Sequence, residues 1–243
     1  MAQIINTNIM SLNAQRALNT SQKSMATSLE RLSSGMRINR AADDAAGLGL
    51  AAGFETQMRG DAMRIRNVGD ALSFAQTGEA ALGEVQDILQ RIGELKVQRG
   101  GIYNGTSPEI DLEITALLAE VGDQLGATFN GTAINGAGVN IEGVQVGGTA
   151  VTGVTSGNAE TTTLDAVVTL RSEYGAATNR LESKARFLEA NVESFAAARS
   201  RIMDADFAVE TSNLTRTQIL QQAGTAMLAQ ANSLPQNALS LLR

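Results

Sequence analysis

Tyr174, Leu181, Leu188, Phe195 and Ile202 recur at intervals of seven, with Ala185 and Val192 four residues after Leu181 and Leu188. A repeat of that period keeps one apolar stripe facing a partner helix, so it specifies a coiled-coil seam. Similar stripes occur elsewhere. Leu18, Met25, Leu29, Leu32 and Met36 step by seven, four, three and four, and Leu82, Val85, Leu89 and Ile92 form a 3-4 stripe. Leu220, Met227, Leu234 and Leu241 restore the seven-residue period, with Pro235 expected to end or kink their helix. Ser107-Pro108-Glu109 combines a capping side chain, a residue suited to the first helical position and an acid at the positive end of the dipole. Ile110, Ile114, Leu117 and Val121 then mark a buried stripe. So many long stripes in 243 residues predict a mainly α fold, an elongated antiparallel coiled-coil helical bundle.

The core must be built from aliphatic side chains, because aromatics make up only 3% and Trp is absent. Between about 129 and 163 the texture changes to two Asn-Gly pairs, many Gly and apolar residues at Val139, Ile141, Val144 and Val146. This predicts a small β-hairpin region followed by a Thr-rich tip. The chain goes out through helices, turns over there and returns, which leaves the N- and C-termini paired at one end.

The ends themselves are short of charge. From 1 to 29 the only charged side chains are Arg16 and Lys23, and from 211 to 243 they are Arg216 and Arg243. A helix facing water normally displays a charged face. These segments barely have one, so they are expected to fold fully only among neighbouring copies.

Chemistry is narrowly limited. The absence of Cys and His removes disulfides, thiol nucleophiles, imidazole bases and nearly all zinc sites. A net charge of −6 argues against nucleic acid, which needs clustered cations. The first residues lack the cationic and apolar blocks of a cleaved signal peptide, and AAGLGLAAGF is too short to span a bilayer. Asp43 and Asp44 do not share a helix face and suit the cap of a following helix. GLGLAA at 47–52 matches a dinucleotide fingerprint formally, but RINRAADDAA before it is no buried strand. No Ser stands three residues before Lys23, Lys96 or Lys184, and Asp204 and Asp206 lack the rest of a calcium loop. No catalytic residue, cofactor or metal site is expected.

The stretches MAQIINTNIMSLNAQRAL, LERLSSGMRINRAADDAAG, LQRIGELKVQ at 89–98 and ARSRIMDADFAVETSNLTRTQILQQAGTAMLAQANSLPQNALSLLR at 198–243 resemble bacterial flagellin. The resemblance spans about 1–131 and 165–243. It implies a structural subunit that polymerises into the flagellar filament, with 1–40 plus 204–243 as inner-tube helices. Residues 41–139 plus 164–203 would form the outer-layer bundle with its hairpin, and 140–163 a short solvent-facing insert. The Ser-Ser-Gly to Asp-Asp stretch becomes a joint. Polymer contacts are expected at Leu18, Met25, Leu29, Leu32, Leu220, Met227, Leu234 and Leu241. The implied partners are further copies of the chain, an export chaperone, the flagellar export apparatus, and the filament cap and hook-associated proteins. The helix at 89–98 resembles the surface sensed by the Toll-like receptor for flagellin, with Arg91, Leu95, Gln98 and Glu113 as contacts, although Gly93 and Lys96 depart from the usual pattern. A hook-filament junction protein or an extracellular adhesin using the 140–163 tip are the competing readings.

Overall fold

The computed structural model describes residues 8–100, 108–135, 138–148, 150–151 and 160–241, without the side chains of 160–162 and 234–241. The Ser107 cap, the 152–159 part of the Thr-rich tip and the side chains of Leu234 and Leu241 lie outside that description. The described residues form α1 (Ile9–Ser34), α2 (Ala45–Arg99), α3 (Pro108–Leu125), β1 (Thr128–Phe129), β2 (Thr132–Ala133), β3 (Val139–Ile141), β4 (Val144–Val146), α4 (Glu160–Met203) and α5 (Phe207–Leu241). The fold is a helical bundle with two small antiparallel hairpins. It divides into two compact units, one of 1–56 with 195–243 and one of 57–194, so the divisions fall inside α2 and α4.

In the 57–194 unit the stripes find their partners within the chain. Leu82, Val85, Leu89 and Ile92 from α2, Ile114 and Val121 from α3, and Tyr174, Leu181 and Leu188 from α4 join one core. Tyr174 is fully buried, its hydroxyl donating to the Ile134 carbonyl at 2.8 Å, and its ring lies 6.0 Å from Phe74. Burial first, and the neighbouring Glu173 charge second, push its pKa up to about 12. The ring fits because residue 78 is Gly: a Cβ there would sit 2.7 Å from the Tyr174 ring. Both hairpins turn on two residues of positive φ, Asn130-Gly131 (50° and 80°) and Glu142-Gly143 (51° and 79°), as the twist of a tight hairpin requires. Thus the first Asn-Gly pair makes a turn, whereas the second hairpin turns on Glu-Gly. Val144 and Val146 point into the core.

In the other unit, α1 packs along α5, and the stretch between α1 and α2 is fastened to the turn before α5. Gly35 ends α1 in the left-handed conformation (φ 70°), its N–H donating to the Arg31 carbonyl at 2.8 Å. Met36 then bridges Asp204 in antiparallel fashion, the Arg37 N–H donates to the Met203 carbonyl, and the Ala205 N–H donates to the Gly35 carbonyl. The Asp pair is structural here. Asp43 accepts from the N–H groups of Arg40 (3.0 Å) and Asn39 (3.1 Å), which hold its carboxyl below the ordinary range. Asp44 accepts from the Gly47 N–H at 2.9 Å and caps α2. A Cβ on Gly47 would lie 2.5 Å from the Asp44 carboxylate and 2.9 Å from the buried Ile38, so this glycine of GLGLAA provides room for a cap and a small core. Asp206 accepts from the Ala208 N–H and starts α5, while Asp204 takes the Ser200 hydroxyl at the end of α4.

The expected end of α5 at Pro235 is not found, since the helix runs on to Leu241. Pro lacks the N–H that would serve the carbonyl four residues back, which is Ala231. Asn8 supplies the replacement: its Nδ2 donates to the Ala231 carbonyl at 2.8 Å while its Oδ1 caps α1 by accepting from the Ser11 N–H. Asn8→Ser retains a cap but is too short to reach Ala231, so it should speed amide exchange across 226–234 about fivefold, the equivalent of roughly 1 kcal/mol. In a Pro235→Ala background the same change should have no further effect, because the intrahelical donor is back. Equal acceleration in both backgrounds would refute the link.

Candidate polymer interface

The α1–α5 contact is made by unexpectedly small and polar side chains. On α1 the covered face steps by three and four through Ser11, Ala14, Leu18, Ser21, Met25, Ser28 and Leu32; on α5 it runs through Glu210, Leu214, Thr217, Gln221, Gly224, Leu228 and Ala231. A Cβ on Gly224 would lie 3.4 Å from the Leu18 Cδ1, so Leu18 seats over a glycine. Ser11, Ser28, Glu210, Thr217 and Ala231 are buried. Small residues allow the two backbones to come close.

One charge is enclosed in this seam. Glu210, 6% exposed, accepts from the Ser28 hydroxyl at 2.9 Å and from Arg31 Nη1 at 3.0 Å. Burial alone would raise its pKa, but the bonds from Arg31, Ser28 and Asn213 together outweigh it and hold the carboxyl below its ordinary 4.5. A depressed folded-state pKa contributes stability that is complete above the unfolded value and is lost as pH falls through the folded one.

Beyond Leu18, Met25, Leu32, Leu214 and Leu228 in the seam, further large apolar side chains lie outside it. Ile9, Met10, Leu12 and Leu29 on α1 and Ile219, Leu220 and Met227 on α5 are about half exposed or more. Leu220 and Met227 are 50% and 62% exposed, and the column that α5 turns toward α1 runs through Thr217, Gly224 and Ala231. Close backbone approach selects against bulk at the contact, so the bulky column is displaced to its flank. Of the other expected contacts, Leu18, Met25 and Leu32 are half-buried at the pair seam and Leu29 is exposed. Between the helices, Met10, Ala14, Leu18, Leu220, Gly224 and Met227 line a mainly apolar groove of about 480 Å³. The groove has no signal in the sequence, because apolar spacing marks a covered stripe without naming its cover.

On the 57–194 unit, Arg91 bonds Glu94 (3.1 Å) and Glu113 (3.5 Å), and all three, with Gln98, are exposed. Leu95 is 2% exposed and belongs to the core, so its expected place on a receptor-facing surface is corrected: the 3-4 stripe of Leu89 and Ile92 carries it inward. Among the described residues no group of three or more His, Cys, Asp or Glu is placed to hold a metal, and no helix is long and apolar enough to cross a membrane.

A helix pair with a small-residue seam inside and large apolar side chains outside defines a self-assembling helical subunit. The bacterial flagellin N-terminal helical region matches residues 5–138 and the C-terminal helical region matches 158–242. A flagellin of Halalkalibacterium halodurans is 37% identical over 99% of this chain and 100% of its own length. A flagellin of Xenorhabdus nematophila is 38% identical over 100% of both chains, and a flagellar filament 33 kDa core protein of Treponema phagedenis is 36% identical over 99% and 100%. The chain belongs to the bacterial flagellin family.

Acid should therefore loosen the α1–α5 pair. Melting followed by circular dichroism should show stability lost as pH falls below about 4.5, and Glu210→Gln should reduce stability at pH 7 by about 1–3 kcal/mol while flattening that acid limb. An unchanged acid limb in Glu210→Gln would assign it to other groups.

Proposed function

We propose that Leu29, Leu220 and Met227, with Ile9, Leu12 and Ile219 beside them, are the contacts through which this structural subunit of the bacterial flagellar filament polymerises. The observation that carries this assignment is their exposure on terminal segments, 1–29 and 211–243, that are short of charge. Each large apolar side chain covered by a neighbour contributes about 1.5–3 kcal/mol, and left in water it is otherwise uncompensated. Leu18, Met25 and Leu32 act one step back, holding α1 to α5 so that the outer stripe is presented in one register. Leu234 and Leu241 continue the stripe by their spacing. The filament so formed transmits rotation for swimming, and its function resides in packing rather than in a catalytic centre.

Export to the cell exterior in an unfolded state, through the flagellar export apparatus, suits ends that depend on neighbours for much of their burial. An export chaperone covering the apolar stripe of α5 before assembly, and cap and hook-associated proteins at the filament ends, complete the set of partners in this reading. Arg91, Gln98 and Glu113 form the receptor-facing surface by resemblance. The filament-subunit names of the relatives favour this reading over a junction protein or an adhesin.

Leu220→Asp with Met227→Asp should abolish filaments in electron micrographs and leave the protein in the supernatant after centrifugation, while the far-ultraviolet signal of the 57–194 unit persists. Normal filaments from this variant would remove the assignment.

A further inference from the structure

In the 57–194 unit one face of α4 is cationic and one face of α2 is acidic, and their spacings match. On α4, Arg180, Lys184 and Phe187 follow one another at steps of four and three, beside the β3–β4 hairpin. With Ser183, Val144 and Glu142 they line an open groove of about 460 Å³. Arg180 reaches the Gly143 carbonyl only at 3.5 Å, Lys184 sits 5.9 Å from the centre of the Phe187 ring, and Phe187 is 58% exposed. Neither cation pairs with a carboxylate among the described residues, and Glu142, the acid in the groove, is engaged by Arg64 at 3.6 Å.

The complementary face lies on α2, on the side away from the core stripe of Leu82, Val85 and Leu89. Asp70, Ser73, Thr77, Ala80, Glu84 and Asp87 are all exposed there and follow one another at alternating steps of three and four. An exposed stripe of that spacing suits a second helix laid along it. Its middle is made of small side chains, which leaves room for an aromatic ring. Glu84 and Asp87 make no hydrogen bond or ion pair among the described residues, and Arg91, four residues beyond Asp87, is taken by Glu94 and Glu113.

We infer that these two faces dock on each other between neighbouring copies, with α2 of one copy antiparallel to α4 of the next, Asp87 against Arg180, Glu84 against Lys184 and Ala80 beneath Phe187. The occupant is a second copy because the chain is a filament subunit and carries both halves of the contact. Only opposite helix directions bring the three pairs together in order. Within the chain α2 and α4 already run antiparallel, since Gly78 lies under Tyr174 and Gln86 accepts from Arg171. Two copies joined in this way therefore point in the same direction, as a polar filament requires. The same internal contacts set Asp87 level with roughly residues 165–170 of its own α4, so pairing it with Arg180 shifts one copy along the other by roughly 15–22 Å at about 1.5 Å per residue. Two different faces meeting head to tail make a contact that extends from copy to copy. This contact rests on the filament reading and adds to the apolar contacts of α1 and α5 a charged one that sets the stagger. Exposed ion pairs are screened by salt, so it weakens as ionic strength rises.

The test is the critical concentration for seeded polymerisation, read by sedimentation, with circular dichroism as the folding control. Arg180→Glu with Lys184→Glu, and separately Glu84→Lys with Asp87→Lys, should each raise it about tenfold, since like charges then face each other. All four changes together should return it to within about threefold of the unaltered chain. A second measurement avoids charge reversal. Ser73 and Ser194, both exposed, lie two heptads beyond Asp87 and Arg180 along the paired helices, and the chain has no Cys of its own. Filaments of Ser73→Cys with Ser194→Cys, treated with a mild oxidant, should give a ladder of disulfide-linked copies on a non-reducing gel, and neither single variant should. Unaltered polymerisation in the two charge doubles, a quadruple variant no better than either, or a cysteine pair that yields no ladder overturns the inference and leaves the filament reading intact. Failure of the unaltered chain to polymerise on seeds would overturn the filament reading and this inference with it.

Discussion

The close approach of α1 and α5 governs the rest of the assembly surface. Ala14, Ser21, Ser28, Thr217, Gly224 and Ala231 leave room for two backbones to come together but none for Leu220, Met227 or Leu29 between them. What cannot enter the seam is left facing out. The seam is instead fixed by directional bonds: Glu210 to Ser28 and Arg31 toward one end, and Asn8 to the Ala231 carbonyl toward the other. Polar bonds in such a place specify register more than they add stability.

The two compact units therefore satisfy their sequences differently. In 57–194, Leu82, Ile92, Tyr174 and Leu181 are buried within the chain, and Tyr174 has both its hydrogen-bond acceptor and a glycine-sized space for its ring. In the other unit the buried cluster is small, Ile38, Ala51 and Met203, joined by the Phe54–Phe195 stack at 5.8 Å. A unit with so little internal apolar packing has more to gain from contacts with other molecules. The stretch from Gly35 to Asp44 is hydrogen-bonded to the turn at 203–205, so it is fastened rather than loose.

Stripes with an internal partner were legible in the sequence down to their neighbours, whereas for those awaiting an external one only the shortage of charge at both ends and the family resemblance pointed to cover by other copies. The α2 and α4 repeats predicted their own burial, the Val139 to Val146 alternation predicted a hairpin, and the Asp44 cap followed from the residues around it. The seven-residue period of Leu220 and Met227 announced a covered column equally clearly, yet spacing cannot tell a helix of the same chain from one of a neighbour. Pro235 does not end the helix for a related reason: the compensating donor, Asn8, lies 223 residues away from the carbonyl it serves. Leu95 was assigned to a surface by resemblance, while its place in the Leu89, Ile92 stripe already pointed inward.

A chain organised this way keeps one unit self-sufficient and leaves the other partly finished until copies gather. Amide hydrogen exchange on the dilute monomer and on sedimented filaments measures that directly. Amides of α1 and α5 should exchange quickly in the monomer and slow by about a hundredfold or more on assembly, as several buried apolar side chains per subunit would require. Amides beside Leu82, Tyr174 and Leu181 should barely change. Protection of α1 and α5 that is already complete in the monomer would contradict the account.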